Sequence, residues 1–233
     1  MILYDLAGAD DDARWSPYCW RVKLALAHKQ LPFTTIPWRY HQKELLHPSG
    51  QGAVPVLVDQ GRWLSDSWQI ARHLDAAYPQ RPALFAGPPG SEPAFELFVK
   101  HWIESAVHPL IRPLTLLPMY QRLHADDQAY FRASRERTLG MALEQAHADA
   151  PEEQLGRVRA ALGPVRSFLA GRDFLGGAQP GFADYTVLAT LLWLENACRI
   201  DTLALDDTLA PWRQRLAPVH QQAAAATHMR PTS

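Results

Sequence analysis

Cysteine is scarce: Cys19 and Cys198 are the only two in 233 residues, too few for a disulfide framework. Neither a C-x-x-C pair nor an H-E-x-x-H stretch occurs, which removes the commonest dithiol and zinc signatures. An excess of one charge is also missing. The 23 Lys and Arg residues balance 24 Asp and Glu to a net −1, so nothing global attracts nucleic acid or anionic lipid. No apolar run is long enough to span a bilayer, and Met1-Ile2-Leu3-Tyr4-Asp5 enters a strand pattern with no charged leader. A reducing cytoplasm is the expected location. What the chain does have is 47% hydrophobic residues, enough to build one large core or two small ones.

Strand and helix signals alternate over residues 1–80, helix signals dominate over 92–233, and the Pro- and Gly-rich stretch 81–91 between them reads as a linker. Strands are expected at Ile2–Leu6, Pro32–Ile36, Val56–Val58 and Arg62–Leu64, the last two joined by the Asp59-Gln60-Gly61 turn. Helices are expected at Pro17–Lys29 and Ser67–Tyr78. A crossover helix requires a parallel strand pair and a tight turn an antiparallel one, so a small mixed sheet of thioredoxin-like α/β type satisfies both. Beyond the linker, helical periodicity covers Glu92–Leu123, Asp126–Ala148, Glu152–Leu169, Phe182–Arg199 and Asp207–Gln222, with a frayed tail after Gln222. Pro109, Pro113 and Pro118 are expected to kink the first of these.

The stretch Trp15-Ser16-Pro17-Tyr18-Cys19-Trp20 lies between the first strand and the first helix. Pro17 suits the first helical position, where its missing N–H costs nothing. Ser16 then stands at a helix N-terminus, which stabilises a thiolate or carboxylate. Set against a C-x-x-C turn, Ser16 takes the place of the exposed attacking cysteine and Cys19 that of the buried second one. The dithiol is therefore lost, and any sulfur chemistry must use a thiol from elsewhere.

Four motifs, in order along the whole chain, resemble the cytosolic glutathione transferase superfamily. Ser16-Pro17-Tyr18-Cys19-Trp20-Arg21-Val22 is similar to the thiol-activating turn of its serine-type classes. Ser49-Gly50-Gln51-Gly52-Ala53-Val54-Pro55 resembles the N-P-x-G-x-V-P stretch before its cis-proline, departing at the first two positions. Asp66-Ser67 resembles its γ-glutamyl-binding pair, and Gln179-Pro180-Gly181-Phe182-Ala183-Asp184-Tyr185 its S/T-x-x-D turn, with Gly181 in place of the hydroxyl cap. Several stretches, among them Asp66-Ser67-Trp68 and Phe174-Leu175-Gly176-Gly177, are similar to the bacterial and fungal β-etherase-type branch. Cys19-Trp20-Arg21-Val22 is also similar to the zeta class of isomerases.

The resemblance implies a thioredoxin-like domain followed by a helical-bundle domain, glutathione as co-substrate, no metal, and a homodimer. It implies a glutathione thiolate attacking an aromatic electrophile, including cleavage of a β-aryl ether, with detoxification as the setting. The alternatives are a zeta-like isomerase and a glutathione- or ligand-binding protein without turnover. A thiol near pKa 8.5 is only a few per cent ionised at neutral pH. Lowering it by about two units requires about 2.7 kcal/mol of preference for the anion, within reach of one charge-assisted hydrogen bond from Ser16 plus the helix dipole.

For glutathione, Val54 and Pro55 in a cis bond would pair the cysteinyl backbone like an added strand. Asp66 would take the ammonium, Ser67 the γ-glutamyl carboxylate, and Gln42 or Lys43 the glycyl carboxylate. Trp15, Trp102, Arg112, Met119, Tyr120 and Trp193 form the expected electrophile-site lining, flat aromatic rings suiting flat substrates. The run Asp10-Asp11-Asp12 reads as a solvated loop able to repel anions from the rim. Asp184 is expected to be structural, bonding N–H groups near Gly181. Cys19 and Cys198 are expected to pack inertly, and His101 and His108 lack a third ligand for a metal.

Overall fold

A computed structural model of the chain describes residues 1–87, 90–147 and 149–226. Pro88 and Pro89 of the expected linker, Ala148 and the tail from residue 227 lie outside the described residues. The first unit runs β1 (Ile2–Leu6), α1 (Pro17–His28), β2 (Thr34–Trp38), a 3₁₀ segment (Tyr40–Ser49), β3 (Val56–Asp59), β4 (Arg62–Ser65) and α2 (Ser67–Ala77). The sheet order is β2-β1-β3-β4. β1 is parallel to β2, with Leu3 opposite Thr35, and antiparallel to β3, with Leu3 also opposite Leu57. β2 thus starts and ends two residues later than expected. Pro32 precedes the pairing, and Pro37 sits inside the edge strand, where a missing N–H is tolerated.

The second unit comprises α3 (Ala94–Trp102), a π turn (Ile103–Val107), α4 (His108–Gln121), α5 (Ala125–Leu139), α6 (Leu143–Ala146), α7 (Pro151–Ala161), α8 (Gly163–Leu169), α9 (Phe182–Cys198) and α10 (Ala210–Ala225). Two expected long helices are each split. Gly140, at φ +73°, ends α5 in the left-handed region, and a break around Leu162 separates α7 from α8. α10 continues to Ala225, past the expected fraying point. None of the helices among the described residues is long and apolar enough to cross a membrane.

α4 runs as one helical segment through Pro113 and Pro118. Pro118 has no N–H for the Leu114 carbonyl four residues back, and Cys198 Sγ donates to that carbonyl at 3.2 Å instead. The irregularity falls upstream as the π turn, just before Pro109.

α1 joins the two units. It packs against α2 on its own side and against α9 and α10 on the other. Buried Arg21 of α1 pairs with Glu104 of the π turn at 2.6 Å. His28 Nδ1 meets the Tyr185 hydroxyl of α9 at 2.7 Å. On the far side, the fully buried Asp127 of α5 accepts from both the backbone N–H and Nδ1 of His41, each at 2.8 Å. Buried charges survive because they are paired: Asp5 lies 3.0 Å from both Arg14 and Lys23. This fixed junction creates the cleft described next.

Candidate functional site

A cavity of about 310 Å³ opens between the sheet unit and the helical unit. The sheet side contributes Leu6, Ser16, Tyr18, Trp38 and Val54. α4 contributes His108, Arg112, Leu116 and Met119, a stripe of successive turns on one helix face. Arg135, Thr138 and Leu139 of α5 and Trp193 of α9 complete the helical side. A smaller, more polar recess adjoins it, lined by Gln51, Ala53, Val54, Pro55, Ser65, Asp66 and Ser67. Tyr18, Ala53 and Val54 line both.

Ser16 caps α1. Its Oγ accepts the Cys19 N–H at 3.3 Å and its carbonyl the Trp20 N–H at 3.0 Å. Pro17 has no N–H, and the Tyr18 N–H carries no hydrogen bond among the described residues. The hydroxyl proton of Ser16 and one first-turn N–H are therefore available at the cavity wall. Cys19 is fully buried beneath, and burial, with the charge of Asp5, pushes its thiol far above the ordinary range.

The Val54–Pro55 bond is cis. Neither the N–H nor the C=O of Val54 takes part in a backbone hydrogen bond among the described residues. Across the recess, Asp66 caps α2, its Oδ1 accepting from the Trp68 and Gln69 N–H groups at 3.0 Å each. Asp66 does so at φ +68°, in the left-handed region. The Ser67 hydroxyl is buried and has no hydrogen-bond partner, a costly state unless a ligand supplies one.

The two residues expected at a glycyl carboxylate keep their amide and ammonium donors. The Gln42 side chain accepts the Arg39 N–H at 3.1 Å, closing the 3₁₀ segment, and Lys43 Nζ sits 3.9 Å over the Tyr130 ring. Of the expected electrophile lining, Arg112, Met119 and Trp193 face the cavity, and Trp193 Nε1 donates to Met119 Sδ at 3.2 Å. Trp15, Trp102 and Tyr120 do not. Trp15 is fully buried, pressed so closely on Gly8 that a Cβ there would meet it at 2.6 Å. Trp102 ends α3 before the π turn, off the α4 stripe. Tyr120 follows Met119 and points a third of a turn away, under the Arg132 guanidinium.

Asp10-Asp11-Asp12 also lies off the cavity lining, with Asp11 bonded to Arg39 at 2.6 Å. Asp184 is fully buried and accepts four hydrogen bonds, from the N–H groups of Leu175, Gly176 and Gly181 and from Trp212 Nε1. His101 is exposed, whereas His108 is buried in the cavity wall, so the two form no ligand pair. His41, His124 and Asp126 bring ligand atoms within 4.8 Å of one another on the surface, away from this cleft.

The sequence reading missed Tyr18, Trp38, Tyr40, His108, Arg135 and Gln51 as lining residues. For His108 and Leu116 the signal was available, since they share the turn-by-turn spacing of Arg112 and Met119 on α4. For Tyr40 and Arg135, bonded at 3.4 Å across the two units, no local pattern foretold the meeting.

A thioredoxin-like sheet unit joined through its first helix to an all-helical unit is the two-part architecture of the glutathione transferase fold, and comparison with known proteins identifies the family. The family described as glutathione S-transferase, C-terminal domain, matches residues 94–214, and glutathione S-transferase, N-terminal domain, matches residues 12–82. The chain belongs to the glutathione S-transferase family. It is 24% identical over 212 residues to a probable glutathione S-transferase, GSTU6, of Oryza sativa subsp. japonica, covering 86% of this chain and 80% of that one. It is 33% identical over 117 residues to maleylacetoacetate isomerase of Pseudomonas aeruginosa, covering 47% and 54%. The crystal structure of glutathione transferase GSTFuA3 from Phanerochaete chrysosporium superposes with a TM-score of 0.76 at 25% identity, over 99% of this chain and 98% of that one.

Proposed function

We propose that the chain binds glutathione across the polar recess and presents its thiol to the larger cavity at Ser16, where the thiolate attacks an electrophilic substrate. The observation that carries this reading is a line of unspent hydrogen-bonding groups. Ser67 Oγ is buried without a partner, Val54 has a free backbone edge, and Ser16 keeps a donor proton beside the Tyr18 N–H. A γ-glutamyl carboxylate, a cysteinyl amide and a thiolate in that order would satisfy each in turn. Ser16 acts as a donor to sulfur and not as a nucleophile.

The substrate lies against Trp193, Met119, Trp38 and Leu116, an apolar wall suited to an aromatic ring. With a β-aryl ether, the thiolate forms a carbon–sulfur bond while the aryl–oxygen fragment departs as a phenolate and takes up a proton from solvent. The second reading, an isomerase, draws on the relative of that name; there the thiolate adds, a bond rotates and the thiolate leaves again. The chain is proposed to work in the cytoplasm as a homodimer, the exposed rings of Phe95 and Phe98 on α3 offering an apolar patch for self-association. Sedimentation at micromolar concentration tests that part, a 26.2 kDa species counting against it.

Thermal-shift titration with glutathione, followed by turnover of a β-aryl ether dimer and of a chloronitrobenzene, tests the main reading. Binding with release of phenol supports the etherase, binding with chloride release alone a general transferase. Binding with neither favours the isomerase or a carrier, and absence of binding overturns the reading.

A further inference from the structure

The cavity wall is aromatic and aliphatic, yet it holds two guanidinium groups, Arg112 and Arg135, and no Asp or Glu. Arg135 is anchored on neutral oxygens, Ser134 Oγ at 3.3 Å and Tyr40 OH at 3.4 Å, and lies over the Phe131 ring. Arg112 makes no hydrogen bond or ion pair among the described residues, although it is half-buried. The buried cations Arg21, Lys29 and Arg14 each have an anion, Glu104, Asp75 and Asp5, and half-buried Arg122 has the carbonyls of Asn196 and Ala197. One turn before Arg112, His108 is buried between Tyr18 and Trp193 and bonded to Thr190. Burial, with the charges of Arg21 and Arg112, lowers its pKa to about 3, so it is neutral and adds no charge of its own.

We infer that the electrophile is an anion, an aromatic or unsaturated molecule whose carboxylate is received by Arg112 while its reactive carbon faces the thiol at Ser16. An uncompensated guanidinium in an apolar wall is stabilised by an anion more strongly than by water. The aromatic residues hold the body of the same molecule. Neutral lipophilic compounds would displace water from Arg112 without supplying an anion, so the site discriminates against them. The Asp10–Asp12 run does not oppose this, because it lies off the cavity lining and Asp11 is bonded to Arg39. This inference rests on glutathione occupying the recess as proposed above, and its test separates the two.

The test uses 4-chloro-3-nitrobenzoate and its methyl ester. In both, the glutathione thiolate bonds to the ring carbon bearing chlorine, chloride leaves with the bonding pair, and the thiol proton has gone to solvent. Each kcat/KM is divided by the uncatalysed rate constant for the same compound, which removes the difference in intrinsic reactivity. The carboxylate is expected to be favoured tenfold or more, and Arg112→Met to reduce that preference about tenfold, Arg112→Lys restoring part of it. Without glutathione, quenching of tryptophan fluorescence by 3-nitrobenzoate measures the anion site alone, and Arg112→Met is expected to weaken it tenfold. If glutathione fails to bind but the anion still does in an Arg112-dependent way, the glutathione reading falls and the anion site stands. Equal preference for acid and ester, or anion binding unaffected by Arg112→Met, overturns the inference.

Discussion

Ser16 Oγ accepts the Cys19 N–H at 3.3 Å, which makes the hydroxyl an acceptor toward its own helix and leaves its proton to be donated outward. The same contact separates the two roles of a C-x-x-C turn. The outer position carries a hydroxyl able to stabilise someone else's thiolate, and the inner position carries a thiol buried too deeply to ionise.

Ser16→Cys is expected to convert this turn. The new thiol would sit at a helix N-terminus, the environment that lowers thiol pKa, and attack oxidised glutathione, forming a mixed disulfide and releasing reduced glutathione. Intact mass after incubation with oxidised glutathione should show one adduct gained on the variant, and the wild type should carry none at Cys19. An adduct at wild-type Cys19 would show that it is reachable, contrary to its burial.

Ser67→Ala is expected to raise the dissociation constant for glutathione about tenfold, since it removes a hydrogen bond to a charged group. Folding stability should change little, because that hydroxyl has no partner within the protein. Asp66→Asn keeps the helix cap and tolerates φ +68°, so any loss of affinity there reports the charge alone. It should be the smaller of the two, Asp66 being exposed. Calorimetric titration with glutathione and thermal melting of the free variants read both quantities.

The Arg21–Glu104 pair at 2.6 Å gives an asymmetric expectation. Glu104→Ala strands a fully buried guanidinium and should cost about 3 kcal/mol, whereas Arg21→Met leaves Glu104 with Lys100 and should cost less. Burial alone would raise the Glu104 pKa, but hydrogen bonds and charge from Arg21 and Lys100 bring it below its ordinary 4.5. A folded-state value below the unfolded one stabilises fully above pH 4.5 and fades as pH falls through the lowered value. The stability gap between wild type and Glu104→Ala, measured in urea at neutral pH and again in acid, should therefore narrow on acidification.

The parts of this molecule that could be read in advance are those whose signal is local. Pro17 after Ser16 marked the start of α1, Gln60-Gly61 marked the β3–β4 turn, and Asp66-Ser67 marked the start of α2. The parts that could not depend on neighbours distant in sequence. Three prolines were visible in α4, but not that Cys198, 80 residues after Pro118 in the numbering, takes the carbonyl that Pro118 abandons. Lys43 and Gln42 have suitable chemistry for a carboxylate, but no local pattern announced the Tyr130 ring under Lys43. Tryptophans were equally ambiguous, because a ring that fits an aromatic substrate also fits a core. Trp193 faces the cavity while Trp15 packs against Gly8.

The central claim is that Ser16 and the α1 N-terminus hold a glutathione thiolate, and the ultraviolet absorbance of the thiolate, followed against pH in the glutathione complex, tests it most directly. The wild-type complex should titrate about two units below the ordinary thiol value near 8.5, and Ser16→Ala should move that midpoint upward with the dissociation constant nearly unchanged. A wild-type complex whose thiol titrates like free glutathione would contradict the claim.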